Sequence, residues 1–228
     1  MTRSITLAIE GATYQGSVAV IRDAEVVAER TLHAEDGGIP RAGRGESLMP
    51  AVAECLDEAG VRGSDIARIV CGAGPGSFTS LRVAGSVAKG LASGYGVELY
   101  AVSSLLLIVS GAQPPLPNGK YLSVLDAMRG EFYTAPIILR LGLAVQSEPP
   151  ALMSAAQLEE VRLREHALRI VGPGQEIDAH PHARGVAPIL ASILEAGTVN
   201  LASWEPDYGR LAEAQVRWEA AHGRPLTT

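Results

Sequence analysis

The sequence predicts an α/β protein, and three observations lead to that class. Short runs of apolar or alternating residues open the chain, which is the pattern of strands. Segments with apolar residues at three- and four-residue intervals then alternate with further strand-like runs. The 228 residues are 47% hydrophobic and 19% charged, which is typical of a globular protein large enough for a real core. Strands covered by helices are therefore expected.

The first three strands are predicted at residues 4–10, 16–22 and 25–32. Tight polar turns separate these runs, so the second and third are expected to form a hairpin. Residues 33–45 are rich in glycine, proline and charge, which predicts a mobile loop.

Two helices and two strands are predicted next. Apolar residues at helical spacing indicate a helix over residues 46–59, and Gly60 would end it. A buried strand at 66–71, a helix at 81–93 and a strand at 98–102 follow. The helix at 81–93 is built from small residues, which let helix backbones approach closely. These residues are Ala84, Gly85, Ser86, Ala88, Gly90 and Ala92.

A second lobe is predicted to begin close to the glycine- and proline-rich stretch at residues 111–119. Its predicted elements are a helix at 104–110 capped by Ser103, a hairpin from 121–126 and 131–139, a helix at 154–164, a strand at 166–171 and a helix at 186–196. The last segment is again helical and carries Arg210, Arg217 and Arg224 on one stripe. A solvated face is the simpler interpretation of that stripe, and a surface for an acidic partner is the alternative.

The composition excludes several classes of protein. The most apolar stretch, residues 100–112, is interrupted by three serines and is far shorter than the ~20 apolar residues of a membrane span. The first three residues carry no apolar block of a secretory signal, so we expect a cytoplasmic protein without membrane contact. Cys55 and Cys71 have no metal or disulfide spacing and are expected to be core thiols. A net charge of -6 argues against independent binding of nucleic acid.

One loop carries most of the functional information. Residues 72–80 (GAGPGSFTS) join a predicted strand to a predicted helix, a geometry in which backbone amides can hold a phosphate. The loop lacks the lysine of a P-loop and the third glycine of a dinucleotide fingerprint. Turn chemistry alone favours a tight turn that caps the helix with Ser77 or Thr79.

The longer sequence that contains this loop is more specific to one protein family. Residues 74–83 (GPGSFTSLRV) and 89–92 (KGLA) closely resemble the signature of the TsaB family, also called YeaZ. Weaker similarities follow in the family's order over nearly the whole chain. They are residues 7–13, residues 17–20, Leu48 with Pro50, Asp126-Ala127 before Arg129 and Tyr133, and Pro206-x-Tyr208-x-Arg210.

The resemblance implies an actin/hexokinase/Hsp70-like (ASKHA) α/β fold with two lobes of mixed sheet and flanking helices. We expect an N-terminal lobe at residues 1–103, completed by a C-terminal helix at 206–223. A smaller lobe is expected at residues 104–205.

The resemblance also implies partners. Family members pair with TsaD, which carries the metal and transfers threonylcarbamoyl from threonylcarbamoyl-AMP to a tRNA adenosine, and the ATPase TsaE joins the pair. We therefore expect a non-catalytic subunit that touches tRNA only within the complex and dimerises with itself when alone. No metal and no firmly bound cofactor are expected, with ATP or ADP entering only in the complex.

The two helices that flank the signature loop form the family's dimer surface. Here they are the helices predicted at 46–59 and 81–93. The residues expected to contact TsaD or a second copy are Leu48, Val52, Leu56, Leu81, Ala84, Gly85, Val87, Ala88 and Leu91.

Several positions depart from the family pattern. Glu10 stands where aspartate is usual, Gly11 replaces threonine, Ser80 replaces glycine, and a histidine near Ser47 is absent. In active actin-like ATPases the first-hairpin aspartate handles the metal-bound nucleotide, so the longer Glu10 weakens any expectation of ATP hydrolysis. The candidate nucleotide or phosphate residues are Glu10, Gly74, Gly76 and Ser77.

Two other functions stay open at this point. An active actin-like kinase or ATPase would use Glu10 and Asp126 as metal carboxylates, with residues 172–174 as a weak adenosine loop. A glycoprotease-type peptidase has less support, because Ser77 and Ser80 have no evident paired base. The five histidines, His33, His166, His180, His182 and His222, lie in loop-like or surface contexts without a zinc-protease pattern.

Overall fold

The computed structural model describes residues 4–32, 45–165 and 167–209, together with residue 222. A first sheet has the strand order β3-β2-β1-β4-β5. Its strands are β1 (Ile5–Glu10), β2 (Ser17–Arg22), β3 (Glu25–Thr31), β4 (Ile66–Gly72) and β5 (Glu98–Val102). Strands β1, β4 and β5 run parallel, whereas β2 and β3 form antiparallel pairs.

Two helices cover one face of this sheet, α1 (Gly45–Glu58) and α2 (Phe78–Tyr95). Leu48 and Val52 of α1 join Ala84 and Ala88 of α2 in a cluster with the apolar residues of β1 and β4. The predicted order of three strands, helix, strand, helix and strand is confirmed. The helices bury one apolar face, as their periodicity predicts, whereas β1 is buried on both faces.

A second sheet has the order β10-β6-β7-β8, and β9 also pairs with β7. Its strands are β6 (Gly119–Asp126), β7 (Glu131–Arg140), β8 (Leu143–Gln146), β9 (Ala151–Ser154) and β10 (Leu168–Val171). The associated helices are α3 (Ser104–Ser110), α4 (Ala155–Arg164) and α5 (Val186–Ala196). Strands β8 and β9 were not predicted; each is short and is defined by its pairing with β7.

The two sheets share one core. Leu105, Leu107 and Ile108 of α3 are fully buried and lie in a cluster that holds Ala8 and Val70 of the first sheet. Residues of β6, β7 and α5 complete the same cluster. The helix α3 therefore joins the two sheets, and the proposed lobe boundary between residues 103 and 104 stays a prediction.

Some predictions fall on residues that are not described. The loop at 33–45 lies almost wholly outside the described residues, as do His166 and most of the helix at 206–223. Residues 206–209, where that helix was predicted to begin, are not helical. They lie beside the signature loop, where the Asp207 amide donates to the Ala73 carbonyl. Among the described helices, none combines the length and apolarity that a membrane span requires.

Candidate functional site

The signature loop, residues 72–77, leads from β4 directly into α2. Ser77 is the residue before the helix, and its carbonyl accepts a hydrogen bond from the amide of Leu81 at 2.9 Å. The Ser77 hydroxyl does not cap the helix but accepts a hydrogen bond from the Ser80 hydroxyl at 3.1 Å. The prediction of a turn that begins a helix is confirmed, while the predicted side-chain cap at Ser77 is wrong.

The first turn, residues 11–16, packs against this loop. The amide of Ser77 donates to the carbonyl of Ala12 at 2.7 Å. A Cβ atom at Gly76 would overlap that same carbonyl, so the two backbones approach as closely as glycine permits. A Cβ atom at Gly11 would lie 2.6 Å from the Cβ of Ala84 in α2. The first turn therefore lies between the loop and the helix.

Glu10 ends β1 inside the protein, with 1% of its surface exposed. One carboxylate oxygen accepts a hydrogen bond from the Ala12 amide, and the other accepts one from the Ser104 hydroxyl at 2.9 Å. Burial raises the pKa of Glu10 to about 7, although the Ala12 amide, the Ser104 hydroxyl and the Gly11 amide each lower it. The predicted nucleotide residue thus has both carboxylate oxygens engaged by the chain itself.

A segment from the end of the described chain closes the other side of the loop. The Asp207 amide donates to the Ala73 carbonyl at 2.7 Å. Gly74 has a φ of +91°, and a Cβ atom there would overlap the Asp207 carbonyl oxygen. The Tyr208 ring lies 4.5 Å from the Phe78 ring. Gly74 and Gly76 are therefore required by contacts within the chain, whether or not the loop also holds a phosphate.

The predicted interface residues mostly face inward. The side chains of Ala84 and Ala88 are 1% and 0% exposed and pack in the core with β1 and β4. Leu48, Val52, Leu56, Leu81 and Gly85 are also buried, while Val87 and Leu91 are half-buried. The prediction that Ala84 and Ala88 meet a partner is corrected here, because the small side chains of α2 allow close packing on this chain's own sheet and first turn.

Gly85 has a partner within the chain as well. A Cβ atom there would lie 3.0 Å from Pro206 and 3.7 Å from Trp204. On the same helix, the Lys89 ammonium donates to the Trp204 carbonyl at 3.0 Å. The residues around Pro206, which resemble the family pattern, therefore brace one flank of α2.

The outward face of α2 carries different residues. Its exposed residues follow a three- and four-residue spacing and are Thr79, Arg82, Ser86, Gly90 and Ser93. Val83 and Val87 border this stripe and are half-buried. Within the described part of the chain, added Cβ atoms at Gly90 and Gly94 would meet nothing within 4 Å. The sequence analysis did not assign this face, although the recurrence of Leu81, Ala84, Ala88 and Ala92 could have identified the opposite, buried one.

The other candidate metal-binding and nucleotide-binding residues make contacts within the chain itself. Asp126 accepts a hydrogen bond from the Met128 amide at 2.7 Å. A Cβ atom at Gly172 would overlap the Val124 carbonyl, so the weak adenosine-loop candidate is packed on β6. Within the part of the chain that the structure describes, no three His, Cys, Asp or Glu residues group as metal ligands would.

His182 is buried and makes contacts through both ring nitrogens. Its Nε2 lies 3.0 Å from the Thr31 hydroxyl, and its Nδ1 accepts from the Arg184 amide at 3.1 Å. Burial, followed by the charge of Arg184, lowers the pKa of His182 to about 3. This neutral ring joins β3 to the segment before α5, and its contacts are not those of a base that activates Ser77 or Ser80.

Several known proteins are similar to this chain in sequence. A family model described as "TsaD: tRNA N6-adenosine threonylcarbamoyltransferase" matches residues 21–161, more than half of the chain. The chain is 28% identical to the "tRNA threonylcarbamoyladenosine biosynthesis protein TsaB" of Bacillus subtilis over 93% of this chain and 96% of that protein. The protein of the same name from Escherichia coli is 35% identical over 57% of this chain and 53% of its own length.

Solved structures agree with the sequence comparison. The structure of YeaZ from Pseudomonas aeruginosa superimposes with a TM-score of 0.73 at 26% identity, covering 90% of this chain and 99% of that one. The predicted actin/hexokinase/Hsp70-like fold, with two mixed sheets and flanking helices, is confirmed.

Proposed function

Because the chain belongs to the TsaB (YeaZ) family, we propose that it is the partner subunit of TsaD in the synthesis of tRNA threonylcarbamoyladenosine. In this role the chain binds TsaD and supports it, while TsaD transfers threonylcarbamoyl to the tRNA adenosine. The relatives' names support the pathway, and the geometry of α2 supports the mode of binding.

The outward face of α2 is the single observation that carries this proposal. Glycine inside a helix costs about 0.5–1 kcal/mol relative to alanine. Gly90 lies inside α2 and Gly94 in its last turn, yet an added Cβ atom at either would meet nothing within 4 Å among the residues that the structure describes. A second helix that packs against this face explains why both positions lack a side chain. We infer that Ser86, Gly90 and the bordering Val87 contact the partner.

A non-catalytic role fits the engagement of Glu10. A carboxylate that binds a metal-nucleotide needs an accessible oxygen, whereas both oxygens of Glu10 accept hydrogen bonds in a buried position. The signature loop is enclosed by Ala12 on one side and Asp207 on the other. We propose that the chain alone holds no nucleotide and no metal, and that any ATP or ADP is bound by other members of the complex.

The net charge of the chain and the outward face of α2 also suggest how tRNA, TsaE and a second copy of the chain would bind. With a net charge of -6, the chain would repel a phosphate backbone, so contact with tRNA requires the complex. TsaE is proposed to join only after TsaD is bound. In the absence of TsaD, the outward face of α2 would be covered by a second copy of the chain.

Gly90→Trp tests the proposal. A tryptophan at this exposed position adds bulk where the partner helix must approach, so association with the TsaD of the same genome should be lost. Size exclusion of the mixture and tRNA modification by the reconstituted complex measure the two consequences. The thermal transition of the monomer should not fall, since an added Cβ meets nothing there.

Ala156→Trp is the matched control. Ala156 is a small exposed residue on α4, distant in the fold from α2. This variant should bind TsaD and support modification as the unaltered chain does. Normal association of both Gly90→Trp and Ser86→Trp would show that the outward face of α2 is not the interface.

A further inference from the structure

Glu10 connects three separate parts of the chain through one buried carboxylate. Ser104, the first residue of α3, donates to Glu10 Oε2 at 2.9 Å and accepts from the Gly74 amide at 3.1 Å. The Ala12 amide donates to Glu10 Oε1. The side chains of Glu10 and Ser104 together therefore join the first turn, the signature loop and the helix shared by the two sheets.

From the first turn the connection continues to α2. The carbonyl of Ala12 accepts the amide of Ser77, so one residue separates the Glu10 carboxylate from the start of the helix. Gly11, the neighbour of Glu10, lies against Ala84 and the Ser80 carbonyl, where added Cβ contacts would be 2.6 and 3.1 Å. A displacement of this turn would thus be transmitted to the first two turns of α2.

The fit around the carboxylate leaves little freedom. A Cβ atom at Gly72 would overlap Glu10 Oε2, so the carboxylate lies directly on the backbone of β4. A buried side chain held by packing and by hydrogen bonds at both oxygens has one available position. The side chain is 1% exposed, and this burial raises its pKa to about 7.

We propose that Glu10 is a positioning residue: its hydrogen bonds to the first turn and to α3 hold the start of α2 in the orientation that binds the partner subunit. This inference rests on the proposed function, since it concerns the helix that is proposed to meet TsaD. It assigns Glu10 a role within the chain instead of the nucleotide contact that the loop pattern first indicated.

Two variants of similar size separate hydrogen bonding from packing. In Glu10→Gln the amide oxygen can accept from the Ala12 amide, and the amide nitrogen can donate to the Ser104 hydroxyl. Glu10→Met fills the same space without these bonds. Ile189→Val, a truncation in the core of α5, serves as a control that lowers stability without touching the first turn.

Hydrogen exchange of the Ser77 amide in the free, full-length chain is the first measurement, because it reports on the bond to Ala12 without any partner. Association with TsaD is the second. For Glu10→Met we expect faster exchange at Ser77 and an affinity for TsaD reduced about tenfold or more. Glu10→Gln and Ile189→Val should keep both properties near those of the unaltered chain.

The inference is overturned if Glu10→Met matches Glu10→Gln in either measurement. It is also overturned if Ile189→Val weakens association as much as Glu10→Met, because general destabilisation would then account for the loss. Failure of the proposed function is recognised separately: Gly90→Trp and Ser86→Trp would then bind TsaD normally, while the exchange of the Ser77 amide would still test the role of Glu10.

Discussion

Ala84 of α2 lies against Gly11 of the first turn, so closely that a Cβ atom at position 11 would be 2.6 Å from the alanine methyl group. This contact turns the small-residue face of α2 toward the interior. Substitutions on this buried face should therefore disturb the fold, whereas substitutions on the opposite face should disturb the binding of a partner.

Ala88→Trp is expected to destabilise the chain itself. Ala88 is 0% exposed and packs in the cluster under the first sheet, so a tryptophan there must displace the core. Overpacking of this kind costs about 1–3 kcal/mol and occasionally more. Urea denaturation under monomeric conditions measures the loss, with Ser86→Trp as the exposed control on the same helix. Equal stability of the two variants would contradict the assigned orientation of α2.

Gly72→Ala should also destabilise the fold, because the added methyl group would overlap Glu10 Oε2. The carboxylate would have to move away from the Ser104 hydroxyl and leave buried polar groups unpaired, at a cost of about 1–3 kcal/mol. Thermal unfolding measures this loss. In the double variant Gly72→Ala with Glu10→Ala, the overlap is removed, so the second substitution should cost less than Glu10→Ala does alone. Strict additivity of the two effects would be the contrary result.

Gly94→Ala should stabilise the free chain. Position 94 lies in the last turn of α2, and a Cβ atom there meets nothing within 4 Å among the described residues. Alanine favours the helix over glycine by about 0.5–1 kcal/mol, so the thermal transition of the monomer should rise. Gly60→Ala is a suitable control, since its φ of +61° makes alanine unfavourable despite similar open space. A lower transition for Gly94→Ala would indicate a contact that the described residues do not contain.

The stability of the chain should depend on pH through Glu10. The pKa of Glu10 rises from 4.5 to about 7 on burial, so the folded state keeps a proton that the unfolded state releases. The contribution to the free energy of unfolding is complete below pH 4.5, is lost as pH rises toward about 7, and then stays constant. The loss over this window amounts to at most about 3 kcal/mol.

Urea titrations of the unaltered chain and of Glu10→Gln across this window measure the effect as a difference. The comparison is needed because His182 acts in the opposite direction. Its pKa is lowered to about 3, so its contribution is complete above pH 6.5 and falls as the solution is acidified. His182 is present in both proteins and cancels from the difference. Parallel curves for the two proteins would show that the carboxyl of Glu10 titrates normally.

Purified chain is expected to show no ATP turnover. Both oxygens of Glu10 accept hydrogen bonds within the protein, and the signature loop contacts the chain on both sides. Phosphate release measured with and without Mg²⁺ tests this expectation. Turnover at a stoichiometric level that Glu10→Ala abolishes would instead favour an active actin-like ATPase.

The local sequence by itself determined the order of strands and helices. The sequence of the signature loop also indicated the family. Helical spacing located α1, α2 and α5 within a few residues, because each helix buries one apolar stripe. Strands β8 and β9 were missed, since pairing with β7 defines them more than their own pattern does.

Apolar periodicity can indicate the buried face of α2, but only the tertiary structure established, for the described residues, which small side chains pack on the sheet and what Glu10 does. Small residues occur on both sides of the helix, so Ala88 and Gly90 cannot be told apart by size, and the sheet beneath the helix makes the choice. The role of a carboxylate depends on its neighbours, and the partner of Glu10 is Ser104, which lies 94 residues further along the chain. Folding brings these residues together and removes water from between them, which turns a candidate ligand into an internal hydrogen-bonding group.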